Sequence, residues 1–211
     1  MNLRAWLSNN DKVNNSIALQ DRAEMKETSV LGHTWNHQLD TFSIKQPNIV
    51  NENNGLTKRL ILKVIASVFD PLGMISPTLL KVTLLLQDLW KQKLSWDDVI
   101  EDEEIKETWS EIRSDVSKIS KFSFQRCLSM KHEEHITYTL LCFCDASLKS
   151  YATTVYLYQK SSSDVKVDLV FAKSRVAPVK TMSVPRLELM GVLIGVRCLK
   201  CVHEQLKLTG N

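Results

Sequence analysis

The spacing of apolar residues changes character part-way along the chain. Through the middle third, apolar positions recur every three to four residues. Ile105, Trp109, Ile112, Val116 and Ile119 follow at intervals of 4, 3, 4 and 3, which lines one face of a helix. The run from Lys58 to Phe69 is denser. It reads as a helix packed on two sides, with Thr57 as its N-cap. Asp70-Pro71-Leu72-Gly73 reads as a turn, in which Pro71 presets its own φ and Gly73 is free to take a positive one. Pro77 suits a first helical turn and opens a helix expected to run through Leu94.

From Ile136 the period shortens to that of strands. Ile136 to Cys144, Ala152 to Tyr158 and Val165 to Ala172 are rich in β-branched and aromatic residues, and Ser161-Ser162-Ser163-Asp164 joins the last two as a hairpin. A largely apolar helix to Leu199 follows, with Ser183 as its expected cap and Pro185 in its first turn. At the other end, residues 1–29 are polar and rich in Asn. Val30 to Trp35 and Asp40 to Ile44 read as two short strands around a turn, and residues 45–55 as a loop. The expectation is an α+β chain in three stretches, 1–56, 57–135 and 136–211, the last a β-β-β-α unit.

Composition adds little: 44% hydrophobic and 24% charged residues are ordinary for a globular protein. Charge distribution adds more. Residues 145–211 hold 10 Lys/Arg against 5 Asp/Glu, whereas residues 1–144 hold 17 against 19. The positive excess is compatible with phosphate contact, and equally with scattered solubilising lysines. The start lacks an apolar signal region. The longest apolar stretch, Pro77 to Leu86, is interrupted by Lys81 and two threonines and is too short to span a bilayer. With five cysteines, the chain is read as intracellular, cytoplasmic or nuclear, with reduced thiols and no membrane partner.

Two carboxylates carry the candidate chemistry. Asp145 ends the first apolar strand, and Glu188 lies early in the final helix, 43 residues later. Asp145 alone is an ordinary solvated strand end. Glu188 alone is an ordinary helix-surface charge, although its neighbours Leu187, Leu189 and Met190 are apolar. Together they match the opening of a site in which clustered carboxylates hold two Mg2+ ions about 4 Å apart for phosphodiester hydrolysis. Lys173, Arg175, Lys180 and Arg186 fall between the third strand and the helix. They are candidates for backbone contact with nucleic acid, or else a solvated loop.

Cys144-Asp145-Ala146-Ser147, Val170 to Pro178 and Ser183-Val184-Pro185-Arg186-Leu187-Glu188-Leu189 resemble the ribonuclease-H region of BEL/Pao retrotransposon Pol polyproteins. Upstream, Val30-Leu31-Gly32-His33-Thr34-Trp35 resembles the segment closing the reverse-transcriptase palm. Thr57-Lys58-Arg59, Phe69 to Pro77, Gln87-Asp88-Leu89-Trp90 and Leu94-Ser95-Trp96-Asp97 resemble the thumb and connection. The resemblance implies a palm end and linker over 1–56, thumb/connection-like helices over 57–135 and the first half of an RNase H-like domain over 136–211. It implies that Asp145 and Glu188 are the first two catalytic, Mg2+-binding carboxylates of a nuclease acting on an RNA–DNA hybrid. The family's next aspartate closes a fourth strand. These 211 residues stop before it, so the chain itself is expected to be an inactive fragment. One departure is local: Lys149-Ser150-Tyr151-Ala152 stands where a glycine is expected near a turn.

Two other readings stand beside this one. The first is a non-catalytic nucleic-acid-binding or interaction module, motivated by the basic excess after residue 145. The second is the Pao-type aspartic peptidase, a name often given to such regions. Peptidase chemistry needs an Asp-Thr/Ser-Gly loop, and both Asp40-Thr41-Phe42 and Asp145-Ala146-Ser147 lack that glycine. The cysteines Cys142, Cys144, Cys198 and Cys201 are read as buried free thiols rather than a zinc site, because one pair lies along a strand and the other in a helix. His33 and His37 are read as turn or surface residues. Trp90, Trp96 and Trp109 are read as core, and the acidic residues Asp97 to Glu104 as a favourable helix start rather than a metal site.

Overall fold

The structure is a computed structural model that describes residues 5–23, 27–30, 32–48, 55–130 and 135–207. It is α+β. A short helix α1 (Asp11–Ser16) is followed by strands β1 (Glu27–Val30), β2 (His33–Asn36) and β3 (Thr41–Ser43). Three helices then run as α2 (Lys58–Ala66), α3 (Ser76–Lys91) and α4 (Glu103–Ser117). Next come β4 (Ser123–Gln125), β5 (Thr137–Ala146), β6 (Ser150–Lys160), β7 (Val165–Val176) and α5 (Val184–Leu206). Two antiparallel sheets form, in the orders β1-β2-β3-β4 and β5-β6-β7.

The helical part follows its apolar periodicity. Ile105, Trp109, Ile112, Val116 and Ile119 are all buried, in one cluster with Ile61 and Val64 of α2 and Val82, Leu85 and Leu89 of α3. Thr57 caps α2 through its hydroxyl, which accepts from the Leu60 N–H at 3.2 Å. Pro77 sits in the first turn of α3. Lys58 is the unexpected member, 1% exposed. Its ammonium lies 4.3 Å from the Trp90 ring centre and 5.9 Å from that of Trp96. The expectation of three core tryptophans therefore holds for Trp109 only. Trp90 and Trp96 are exposed and form an edge-to-face pair around the lysine, a cation–π arrangement that replaces water around a buried charge.

Two further expectations are corrected near the N-terminal sheet. Val30 to Trp35 is not one strand: β1 ends at Val30, and Gly32, at φ +86°, turns the chain into β2. Leu31 and residues 49–54 of the expected loop lie outside the described residues. His33 and His37 are buried rather than superficial. His33 packs among Phe42, Phe69 and Phe124 with ring centres 5.6–6.0 Å away, and neither ring nitrogen has a hydrogen-bond partner. Burial pushes its pKa down.

In the second sheet all three strands outrun their apolar stretches. β7 continues through Val176 because Lys173 to Val176 stay in register with Ser150 to Thr153. The turn between β5 and β6 closes without glycine: the Ser147 hydroxyl accepts from the N–H groups of Lys149 and Ser150. No residue of that turn adopts a positive φ. At the hairpin turn between β6 and β7, the Ser161 N–H donates to the Asp164 carbonyl at 2.9 Å. α5 lies across β5 and β6, its Leu187, Gly191, Gly195, Cys198 and Val202 facing the sheet.

The helices touch this sheet at its β7 edge. The Ala172 N–H donates to the Leu72 carbonyl at 2.9 Å, and the Gln87 side chain donates to the Ala177 carbonyl at 2.7 Å. Gly73 makes the approach possible. It takes φ +74°, and a Cβ there would collide with the Ala172 carbonyl oxygen. Asp70 holds the turn by accepting from Met74 and Ile75 N–H, each at 2.9 Å.

Candidate active site and nucleic-acid interface

Side chains alternate across β5. Leu140, Cys142, Cys144 and Ala146 face α5, opposite Leu157, Val155, Thr153 and Tyr151 of β6. Asp145 therefore takes the opposite face of the sheet, beside Phe143, and is exposed. Ala146 packs with Tyr151, Ala177 and Leu187, which sets the first turns of α5 over the end of β5. Gly191 lies close over the backbone there, since a Cβ on it would be 3.5 Å from the Asp145 carbonyl oxygen. Glu188 is one turn earlier on α5 and is exposed. Asp145 and Glu188 thus arrive at the same end of the sheet, one from the strand and one from the helix.

The donor set suits a hard cation in kind, because both groups are carboxylates and neither makes an ion pair among the described residues. It is short in number. Among the described residues, no three His, Cys, Asp or Glu side chains are grouped so as to hold a metal ion. The cysteines do not supply such a group. Cys142 and Cys144 lie 3.9 Å apart, sulfur to sulfur, and each is 3.3–3.4 Å from the Thr153 hydroxyl. Burial raises the pKa of Cys142 and Cys198, which favours the thiol over the metal-binding thiolate. The expected burial holds for Cys198 only; Cys142 and Cys144 are half-buried and Cys201 is exposed.

The four basic candidates do not form one loop. Lys173 and Arg175 belong to β7 and point to the α5 face, paired with Thr153 and Tyr151. Lys180 is exposed in the connection to α5, and Arg186 is exposed in the first turn of that helix. The physical reason for the correction is the edge position of β7. Exposed cations on an edge strand cost no apolar burial and leave its pairing with β6 intact.

Sequence reasoning missed Arg197. It lies on the flank of α5 nearest β7 and lines a groove of about 280 Å3 with Lys173 and Arg175. Its position in α5 relative to Ile194 and Cys201, at steps of three and four residues, was the available signal. Ser183 occupies the N-cap position of α5 but makes no side-chain cap bond; its carbonyl accepts from Arg186 and Leu187 instead. Asp40, the other aspartate weighed for peptidase chemistry, is engaged by the Arg126 guanidinium and the Trp35 ring N–H. The Arg126 hydrogen bond holds its carboxyl below the usual range.

No helix among the described residues is long and apolar enough to cross a membrane. Residues 57–211 match the family model described as a Pao retrotransposon-like RNaseH-like domain. No curated protein matches the chain.

Proposed function

Since the chain belongs to the Pao retrotransposon-like family with an RNaseH-like domain, we propose that this region of a retrotransposon Pol polyprotein cuts the RNA strand of RNA–DNA hybrids. Asp145 and Glu188 would be its first two Mg2+ ligands. The observation that carries the reading is the arrival of a strand-end Asp and a helix-borne Glu at one end of a three-stranded sheet. The bound ions would activate water and stabilise the leaving oxygen. The protein's own part is to bring two exposed carboxylates without ion-pair partners among the described residues to one end of the sheet, where oxygen ligands suit a hard cation. On this reading residues 1–56 and 57–135 would be the palm end and the thumb/connection of the same polyprotein, which would position the hybrid during reverse transcription.

Two carboxylates are too few to hold two ions, and among the described residues no third ligand joins them, so the 211 residues alone are expected not to cleave. The test is a labelled RNA–DNA hybrid incubated with Mg2+ and the Pol polyprotein carrying this region. D145N and E188Q should each lower cleavage by more than the roughly 10–100-fold lost when only a partner of a metal ligand is removed. Undiminished cleavage in either variant would overturn the assignment. Cleavage by the 211-residue chain itself, abolished by D145N, would overturn its expected inactivity.

A further inference from the structure

The groove between β7 and α5 contains three cations and no carboxylate. Lys173, Arg175 and Arg197 line it, over an apolar floor that includes Phe171, Ile194 and Val202. All three cations are exposed. None makes an ion pair or hydrogen bond among the described residues, although the chain forms such pairs freely elsewhere, as in Arg59–Asp97 and Lys81–Asp115. Three positive charges lining one concavity of about 280 Å3, with no carboxylate among its lining residues, give it a positive potential that attracts an anion.

The geometry also separates this groove from the carboxylates. Lys173 is opposite Thr153, and Thr153 is opposite Cys144, so β6 lies between β7 and the strand carrying Asp145. On α5, Ile194, Arg197 and Cys201 line the β7 flank. Glu188 is turned roughly 180° away from Arg197 by helical geometry. Lys173 and Arg175, two residues apart on one face, are separated by roughly 6.6 Å along the strand. That spacing suits successive phosphates of an extended nucleic-acid strand, whereas a free phosphate would engage a single point.

We propose that this groove is a second nucleic-acid contact, in which Lys173, Arg175 and Arg197 hold the phosphodiester backbone of a strand on the flank of the domain away from Asp145 and Glu188. The proposal rests on the nucleic-acid reading above and gives it a surface that guides a strand to or from the carboxylates. It depends on no metal.

The test measures anisotropy of a labelled single strand and a labelled RNA–DNA hybrid, across a salt series without divalent metal, using the 211-residue chain. K173Q/R175Q/R197Q should weaken binding at low salt by tenfold or more. It should also flatten the slope of log K against log salt by about 2 for the single strand, three contacts at roughly 0.7 each. D145N/E188Q should bind at least as well as the unmodified chain. K12Q/K93Q/K121Q removes the same charge from exposed positions on the rest of the chain and should retain affinity. Undiminished binding by the groove variant, or an equal loss in the K12Q/K93Q/K121Q control, overturns the proposal. Complete competition by inorganic phosphate at millimolar concentration also overturns it, because the site would then be one for free anions. Loss of binding in the groove variant supports the proposal even where the carboxylate variants leave cleavage by the polyprotein untouched, so the two readings fail separately.

Discussion

The helices α2 to α4 and the α5–sheet unit handle their apolar residues differently. The helices enclose one continuous core, in which Ile61, Val82 and Leu89 have no exposure at all. The α5–sheet unit has two smaller clusters, around Leu187 and around Val155, Cys198 and Val202. Its helix is apolar on two sides. One side meets the sheet, while Leu189, Val192, Leu193 and Val196 recur at steps of three, one and three and are 48–69% exposed. The 10-residue strand β5 pairs only with β6 among the described residues. One part of the molecule is therefore held by depth of burial, and the other by close backbone approach and strand pairing.

That contrast predicts its own largest effect. Leu89→Ala should lose about 2–5 kcal/mol, because a fully buried leucine leaves a cavity that neighbours only partly fill. Leu193→Ala on the open side of α5 should stay within about 0.5 kcal/mol. Denaturant unfolding of both variants measures the difference. Equal losses would mean that the exposed stripe is covered in solution.

A smaller effect tests the close approach of α5. A side chain at Gly195 would collide with the Cys144 sulfur and come within 3.1 Å of Cys142 and Thr153. Gly195→Val should cost about 1–3 kcal/mol through overpacking. The loss should appear as faster hydrogen exchange across β5 and β6, with α2 to α4 left protected. Uniform loss of protection would show that the two regions unfold as one.

The smallest effect concerns pH. His33 is buried without a partner for either nitrogen, and its folded pKa lies below the ordinary 6.5. Its unfolded form therefore binds a proton more readily than the folded form. Stability is complete above pH 6.5 and falls as pH drops from there towards the folded pKa. His33→Phe should remove this part of the acid sensitivity, seen as a flatter melting temperature between pH 7 and 5. An unchanged pH profile would show that His33 does not titrate with unfolding. Asp70 acts against the shift but does not reverse it.

Legibility in the sequence followed the kind of interaction. The face from Ile105 to Ile119 was readable because burial along a helix imposes a period. The Thr57 cap and the Gly73 turn were readable because each depends on a backbone requirement satisfied within a few residues. The full length of β7 was not, since Lys173 to Val176 are held by pairing with β6 rather than by apolar content. The burial of His33 and Lys58 was also hidden. A polar residue enters the interior only where distant aromatic rings replace its water, and Phe124 is 91 residues from His33. For the candidate site, the two carboxylates were legible as residues, but Arg197 acquires its neighbours Lys173 and Arg175 only when α5 lies across the sheet.

The sequence by itself determined the helix and strand periods, the α+β order and the motifs that place the chain in its family. Those properties reside in local spacing and in residues near one another along the chain. Only the tertiary structure decided which end of the sheet Glu188 reaches, which flank collects the unpaired cations and how near α5 lies to β5. Those outcomes depend on how the layers pack, and contacts such as Gly73 with Ala172 or Gly195 with Cys144 are between residues too distant in sequence for any local pattern to encode.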